Sequence, residues 1–215
     1  MLNKRLLLLV VLLLSASVLT ACAQSNGNSI PTPSSSLVNS FLWQTDGVYG
    51  YRMLRPAGWE PIDMKDRRGY QPPGLPSQAD QVLLMASNLQ VIAKATESPT
   101  SMIAQWGLFE RDHSLAGWTS GIEQLWTNTG TKFTLARTLP QAKIYLIKPA
   151  SDLLYVVAYA VDNDQPLTIG LEAHGAYADE ARLQKEGLLD DFATMVSSIS
   201  AVQPDPSKTA PALKD

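Results

Sequence analysis

The chain has 215 residues, with 17 Lys and Arg against 20 Asp and Glu, two His and one Cys. A formal net charge of −3 and the lack of any basic cluster argue against nucleic acid as a partner. One cysteine excludes an intramolecular disulfide framework.

The N-terminus carries Lys4 and Arg5, then nine apolar residues from Leu6 to Leu14, then Ser15, Ala16 and Ser17. That is the order of a secretory signal, and its apolar core is shorter than the roughly 20 residues a spanning helix needs. Leu19-Thr20-Ala21-Cys22 resembles the bacterial lipobox. The resemblance implies that the Cys22 thiol takes a diacylglyceryl group and becomes the first residue after cleavage. A two-chain lipid anchors stably where one chain binds only marginally. The lone cysteine thereby gains a role that needs no partner. Removal of Lys4 and Arg5 takes the basic count from 17 to 15 against 20 acidic residues, a formal net charge of −5.

Four segments follow from composition. Residues 1–21 read as the lipoprotein signal. Residues 22–40 hold the lipidated Cys22 and an uncharged Ser- and Asn-rich stretch that reads as a flexible tether. Residues 41–202 are long enough for one domain of ordinary size. Residues 203–215 hold three prolines and scattered charges, and read as a disordered tail.

Inside the domain, residues 41–45 and 48–54 are rich in aromatic and branched side chains and flank Asp46-Gly47, a hairpin signal. Pro56 stops the second strand. Residues 56–79 hold so many prolines and glycines that an irregular stretch is expected, plugged by Trp59 and Tyr70. Residues 82–86, 90–95 and 103–109 read as three strands. Residues 114–128 read as a helix, because Leu115, Trp118, Ile122, Leu125 and Trp126 recur at spacings of three and four. Ser114 is its N-cap and Gly130 its stop. Four strand-like runs come next, at 132–139, 143–148, 153–161 and 166–173, with short connections that favour an antiparallel meander. A polar helix over 178–186 and an apolar-faced helix over 188–201 close the domain, with Gly187 as the break. The sum is an α+β domain: one antiparallel sheet with helices packed on it.

Tyr51-Arg52-Met53-Leu54-Arg55-Pro56-Ala57-Gly58-Trp59 resembles the "strand, then Pro, then Gly-Trp" opening of the PsbP-like family, extracytoplasmic domains named for an extrinsic photosystem II protein. The closing stretch from Phe192 to Ile199 is similar to that family's terminal helix. The resemblance implies an α-β-α sandwich around an antiparallel sheet, usually without catalysis and often acting as an accessory or assembly factor. The charged insert between His174 and Gly187 departs from the pattern, and no partner-binding residue carries over.

Chemistry-bearing constellations are sparse. His174 with Asp179 or Glu180 is one conceivable metal set, weighed against a plain histidine at a strand end. Neither Gly-x-Ser-x-Gly nor Ser-x-x-Lys occurs, and no Gly-x-Gly-x-x-Gly or Walker motif is present. Asp190-Asp191 reads as a solvated helix face, since neighbours on a helix do not face each other. The mixed charges from Asp63 to Arg68, including Arg67, read as solvation or as a docking patch. Trp59, Trp106, Trp118 and Trp126 fall on core positions. Trp43, Tyr49 and Tyr51, if exposed, would line a partner surface. The candidate interaction surface is thus Trp43, Tyr49, Tyr51, Asp63, Arg67 and Arg68, with no catalytic, cofactor or metal residue assigned.

The sequence expectation is therefore a non-enzymatic, lipid-anchored accessory or interaction domain on the extracytoplasmic side of a bacterial cell membrane. It would be held through Cys22 and partnered by another envelope protein. The alternatives are a small-ligand- or metal-binding lipoprotein and a hydrolase whose residues come from distant positions.

Overall fold

A computed structural model describes residues 37–63, 68–74, 80–93, 100–205 and 207. Cys22, the signal and most of the tether lie outside the described residues, as does Arg67.

Strands β1 (Phe41–Asp46) and β2 (Tyr51–Pro56) form the expected hairpin, with Asp46 opposite Tyr51. The short strand β10 (Ser200–Ala201) adds to the other side of β2. This makes a three-stranded sheet in which β1 is an edge.

A second sheet has seven strands. It contains β3 (Glu60–Asp63), β4 (Arg68–Gln71), β5 (Val82–Asn88), β6 (Phe133–Leu139), β7 (Ala142–Ala150), β8 (Leu153–Asp162) and β9 (Gln165–His174). Their spatial order is β3-β4-β5-β9-β8-β7-β6, antiparallel at every step. The expected single sheet is thus two sheets, and the expected irregular stretch contains the β3–β4 hairpin. The β8–β9 turn has positive φ at both central residues, Asn163 (49°) and Asp164 (58°). That suits the right-handed twist of the flanking strands, and Asn and Asp tolerate it best after Gly.

Two expected strands are helices. Residues 90–95 fall largely in α1 (Leu89–Ala93), and residues 103–109 in α2 (Thr100–Phe109). Asn88 ends β5 and starts α1, its Oδ1 accepting from the Gln90 N–H at 3.0 Å. In α2, Met102 and Phe109 are buried and Trp106 packs on the core, a stripe at spacings of four and three. The expected central helix is α3 (Leu115–Thr129), with Ser114 Oγ accepting from Gly117 N–H at 3.0 Å and Gly130 in the left-handed region at φ 74°.

The C-terminal helices are α4 (Glu180–Lys185) and α5 (Leu188–Ser198), broken at Gly187 with φ 77°. Helix α3 lies on the sheet face that carries Tyr145 and Tyr159: Trp118 meets Tyr159 edge-on at 5.1 Å and Trp126 meets Tyr145 at 5.2 Å. Helix α5 lies on the other face. Arg137, in register with Ile144, reaches Asp190 on α5 at 2.7 Å, and directly paired residues share a face. Helices therefore cover both faces of an antiparallel sheet, an α+β architecture. Among the described residues, the six largest fully buried side chains are aromatic: Trp118, Tyr51, Tyr70, Tyr145, Phe109 and Phe192. Past β10 the chain holds to the hairpin for longer than composition suggests, with Val202 N–H donating to Gly50 C=O at 3.0 Å and Asp205 N–H to Gly47 C=O at 2.9 Å.

Candidate functional site

The β1–β2 ribbon separates two environments, because side chains alternate along a strand and paired residues share a face. Met53 opposite Gln44 and Tyr51 opposite Asp46 point inward, and Leu42 and Arg55 share that parity. Trp43 opposite Leu54 and Thr45 opposite Arg52 point outward.

The inward parity opens into a cleft of about 320 Å³, lined by Gln44, Thr45, Asp46, Val48, Arg55, Pro61, Arg68 and Tyr70. Asp46 is 6 % exposed and its carboxylate is well supplied with donors. Oδ1 accepts from Val48 N–H at 2.9 Å and Tyr49 N–H at 3.1 Å, while Arg68 Nε reaches Oδ2 at 3.4 Å. A buried carboxylate needs such partners, since leaving it unpaired costs several kcal/mol (about 3–5). Arg55 is clamped from three directions. Its Nη1 donates to the carbonyls of Pro56 at 3.1 Å and Trp59 at 3.0 Å, and its Nε donates to Gln44 Oε1 at 3.3 Å. Its guanidinium also lies 5.0 Å from the Tyr70 ring centroid. Behind them the Tyr51 and Tyr70 hydroxyls meet at 3.3 Å. Burial, foremost, pushes both phenols above their ordinary value, so both are neutral in the working range of pH.

Among the described residues, two guanidiniums thus share one cleft with a single buried carboxylate. Guanidiniums held by backbone carbonyls are pre-oriented, and their planar forks match carboxylate or phosphate oxygens. Among the described residues, no histidine or cysteine lines the cleft.

The candidate residues from sequence fall into distinct places. Tyr49 and Tyr51 are 3 % and 0 % exposed, which removes them from any partner surface. They turn inward because the hairpin buries that parity of β2 and its loop under the two sheets. Arg68 lies in the cleft, brought to Tyr49 and Tyr51 through Asp46 and Tyr70. Asp63 ends β3 opposite Arg68 in register. Trp43 is 53 % exposed on the outward parity, with the Arg52 guanidinium 4.4 Å over its ring. Asp46, Arg55, Gln44 and Tyr70 went unnoticed in the sequence as cleft residues. The parity of β1 and β2 is the signal the sequence carries for them, and the Asp46-Gly47 turn pattern masks it at Asp46.

The conceivable histidine sites resolve otherwise. His174 Nε2 contacts Glu172 Oε1 at 2.6 Å rather than Asp179 or Glu180. Asp179 instead caps α4, accepting from Arg182 N–H at 2.7 Å. His113 pairs with Asp164 at 2.8 Å on the surface. Among the described residues, no three His, Cys, Asp or Glu side chains come together as metal ligands would. Asp190 is exposed, in keeping with a solvated face, and pairs with Arg137, whereas Asp191 is half-buried, and that burial, and then Asp190's charge, raise its carboxyl above its usual value. A second, larger cleft of about 710 Å³ runs between α4 and the β6–β8 side of the sheet. Leu146 and Leu154 line it, with Lys148 on β7, Lys132 just ahead of β6, and Asp179 and Glu180 at the helix.

No family model matches the chain, and no curated protein matches it. Among solved structures it is similar to the solution structure of cyanobacterial PsbP (CyanoP) from Synechocystis sp. PCC 6803. The identity is 14 % and the TM-score 0.38, with 81 % of this chain and 98 % of that chain covered. At that degree of similarity nothing about role passes from one protein to the other.

Proposed function

We propose that this chain is a lipid-anchored accessory domain of the bacterial cell envelope. Cys22 holds it to the membrane on the extracytoplasmic side. It binds another envelope protein without catalysing a reaction, taking a carboxylate-bearing segment of that partner into the Arg55–Arg68 cleft. The observation that carries this reading is the charge of the described cleft lining: Arg55, oriented by two backbone carbonyls, and Arg68, paired with Asp46, stand against that one carboxylate. The lipobox-like Leu19-Thr20-Ala21-Cys22 supports the anchor.

The test is a photo-crosslinking residue placed at Pro61, which lines the cleft and is exposed, in cells that process the full chain. The control carries it at Ser120, exposed on α3. One dominant partner from Pro61, absent from Ser120 and lost in Cys22→Ala, is the expected result. Equal or no enrichment at the two positions defeats the cleft as a docking site. The larger cleft favours a second reading, a small-ligand-binding lipoprotein, and a ligand-dependent rise in Tm lost in Lys148→Ala would select it.

A further inference from the structure

The outward parity of the β1–β2 ribbon has a different chemistry from the cleft behind it. Trp43, Thr45 and Arg52 are exposed there, and Leu54 is half-buried beside them. Trp43 is the most exposed of the large hydrophobic residues described, at 53 %. Arg52 sits 4.4 Å over its ring, so an aromatic and a cation are presented together. Among the described residues of the ribbon this face carries no carboxylate, since the one acidic residue of β1, Asp46, turns inward. This matters in a chain of formal net charge −3, which an anionic surface repels as a whole. Only an acid-free face can approach such a surface without penalty.

The position of the face in the chain adds a second argument. The Trp59 indole N–H donates to Leu37 C=O at 2.9 Å, and Val38 is buried, so the chain is fixed to the domain just ahead of β1. Trp43 follows Leu37 by six residues. The fifteen steps from Cys22 to Leu37 span at most about 50 Å when fully extended. A lipid on Cys22 would therefore keep this face within reach of the bilayer at all times. A contact of modest strength then suffices, because it closes within one anchored molecule.

We infer that the Trp43–Arg52 face is a second membrane contact. Trp43 inserts at the headgroup level and Arg52 meets anionic headgroups. Tryptophan rings favour that depth, and arginine extends its charge to the polar layer over an apolar stem. Because the Arg55–Arg68 cleft lies on the opposite parity of the same ribbon, this contact would turn the cleft away from the bilayer, toward a partner. The inference rests on the anchoring at Cys22 proposed above.

The experiment uses the lipidated full chain, purified from bacterial membranes and reconstituted into phosphatidylcholine–phosphatidylglycerol vesicles with brominated acyl chains. Tryptophan emission is compared between the native chain and Trp43→Phe, so that the difference reports Trp43 alone among five tryptophans. Flotation with the vesicles, and a Trp43 signal quenched by bromine, is the expected result. Arg52→Gln is expected to lower the docked-to-undocked ratio about fivefold, and pure phosphatidylcholine to act alike. Flotation with an unquenched Trp43 signal overturns the contact while leaving the anchor intact. A chain that neither floats nor carries the lipid mass on Cys22 overturns the anchor, and the contact with it.

Discussion

Tyrosines carry the sharpest electrostatic consequence of this fold. Burial is the first cause of the raised pKa of Tyr51, Tyr145 and Tyr159, and Tyr159 has no other cause. Each is held above the ordinary value near 10, so the folded state resists ionisation that the unfolded chain accepts. The stability they contribute is complete below pH 10 and is lost as pH rises beyond it. Tm is expected to be flat to about pH 10 and then to fall, with the tyrosinate absorbance of Tyr51, Tyr145 and Tyr159 appearing at unfolding rather than before it. Tyr159→Phe, which deletes one such hydroxyl, should flatten that decline and change little at pH 7. A full tyrosinate signal at pH 11 in a chain with unchanged far-UV circular dichroism would count against the burial argument. Trp59, Trp118 and Tyr70 were readable as core from their apolar or loop-plug positions. The burial of Tyr49 and Tyr51 was not, because alternation names two faces and does not say which is covered.

The joint between α4 and α5 shows what a single backbone angle does to an element. Gly187 stands at φ 77° with open space where a Cβ would go. Substitution there meets no clash, and the cost is backbone strain alone. Gly187→Ala is expected to destabilise by about 1 kcal/mol, read as a lowered urea midpoint at unchanged m-value. A cost near zero would mean that α4 and α5 can join without the left-handed residue. The break itself was legible in the sequence, as were Ser114 and Gly130 at the ends of α3, because caps are local chemistry. The runs at 90–95 and 103–109 were not. Short apolar runs satisfy strand and helix templates alike, and the decision came from packing. Met102, Trp106 and Phe109 form one stripe only as a helix, and that stripe meets Trp118, which contacts Phe109 edge-on at 5.4 Å.

One continuous buried cluster joins both sheets, from Tyr51 and Met53 through Leu84 and Ile169 to Phe192 and Met195 on α5. Phe192 is 0 % exposed, and Phe192→Ala is expected to cost about 3–5 kcal/mol. Because the cluster is shared, far-UV circular dichroism and tryptophan emission should lose their signals in one coincident transition. Separate transitions would mean that the three-stranded sheet folds on its own. The sequence by itself determined the elements with strong local signals: the β1–β2 hairpin, α3 with its caps, the four-strand meander, and the α+β class. It also supplied the lipobox-like stretch, a motif of adjacent residues that needs no fold to be read. Only the tertiary structure decided that β1 and β2 leave the main sheet, that α1 and α2 are helices, and that Arg55, Arg68 and Asp46 meet. The reason is physical. Caps, turns and periodicity act over a few residues, whereas Asp46 on β1 and Arg68 on β4 belong to different sheets and meet only where the two sheets pack together. The charge of the cleft is a consequence of that packing, and the outward face of Trp43 a consequence of which side of the ribbon it covers.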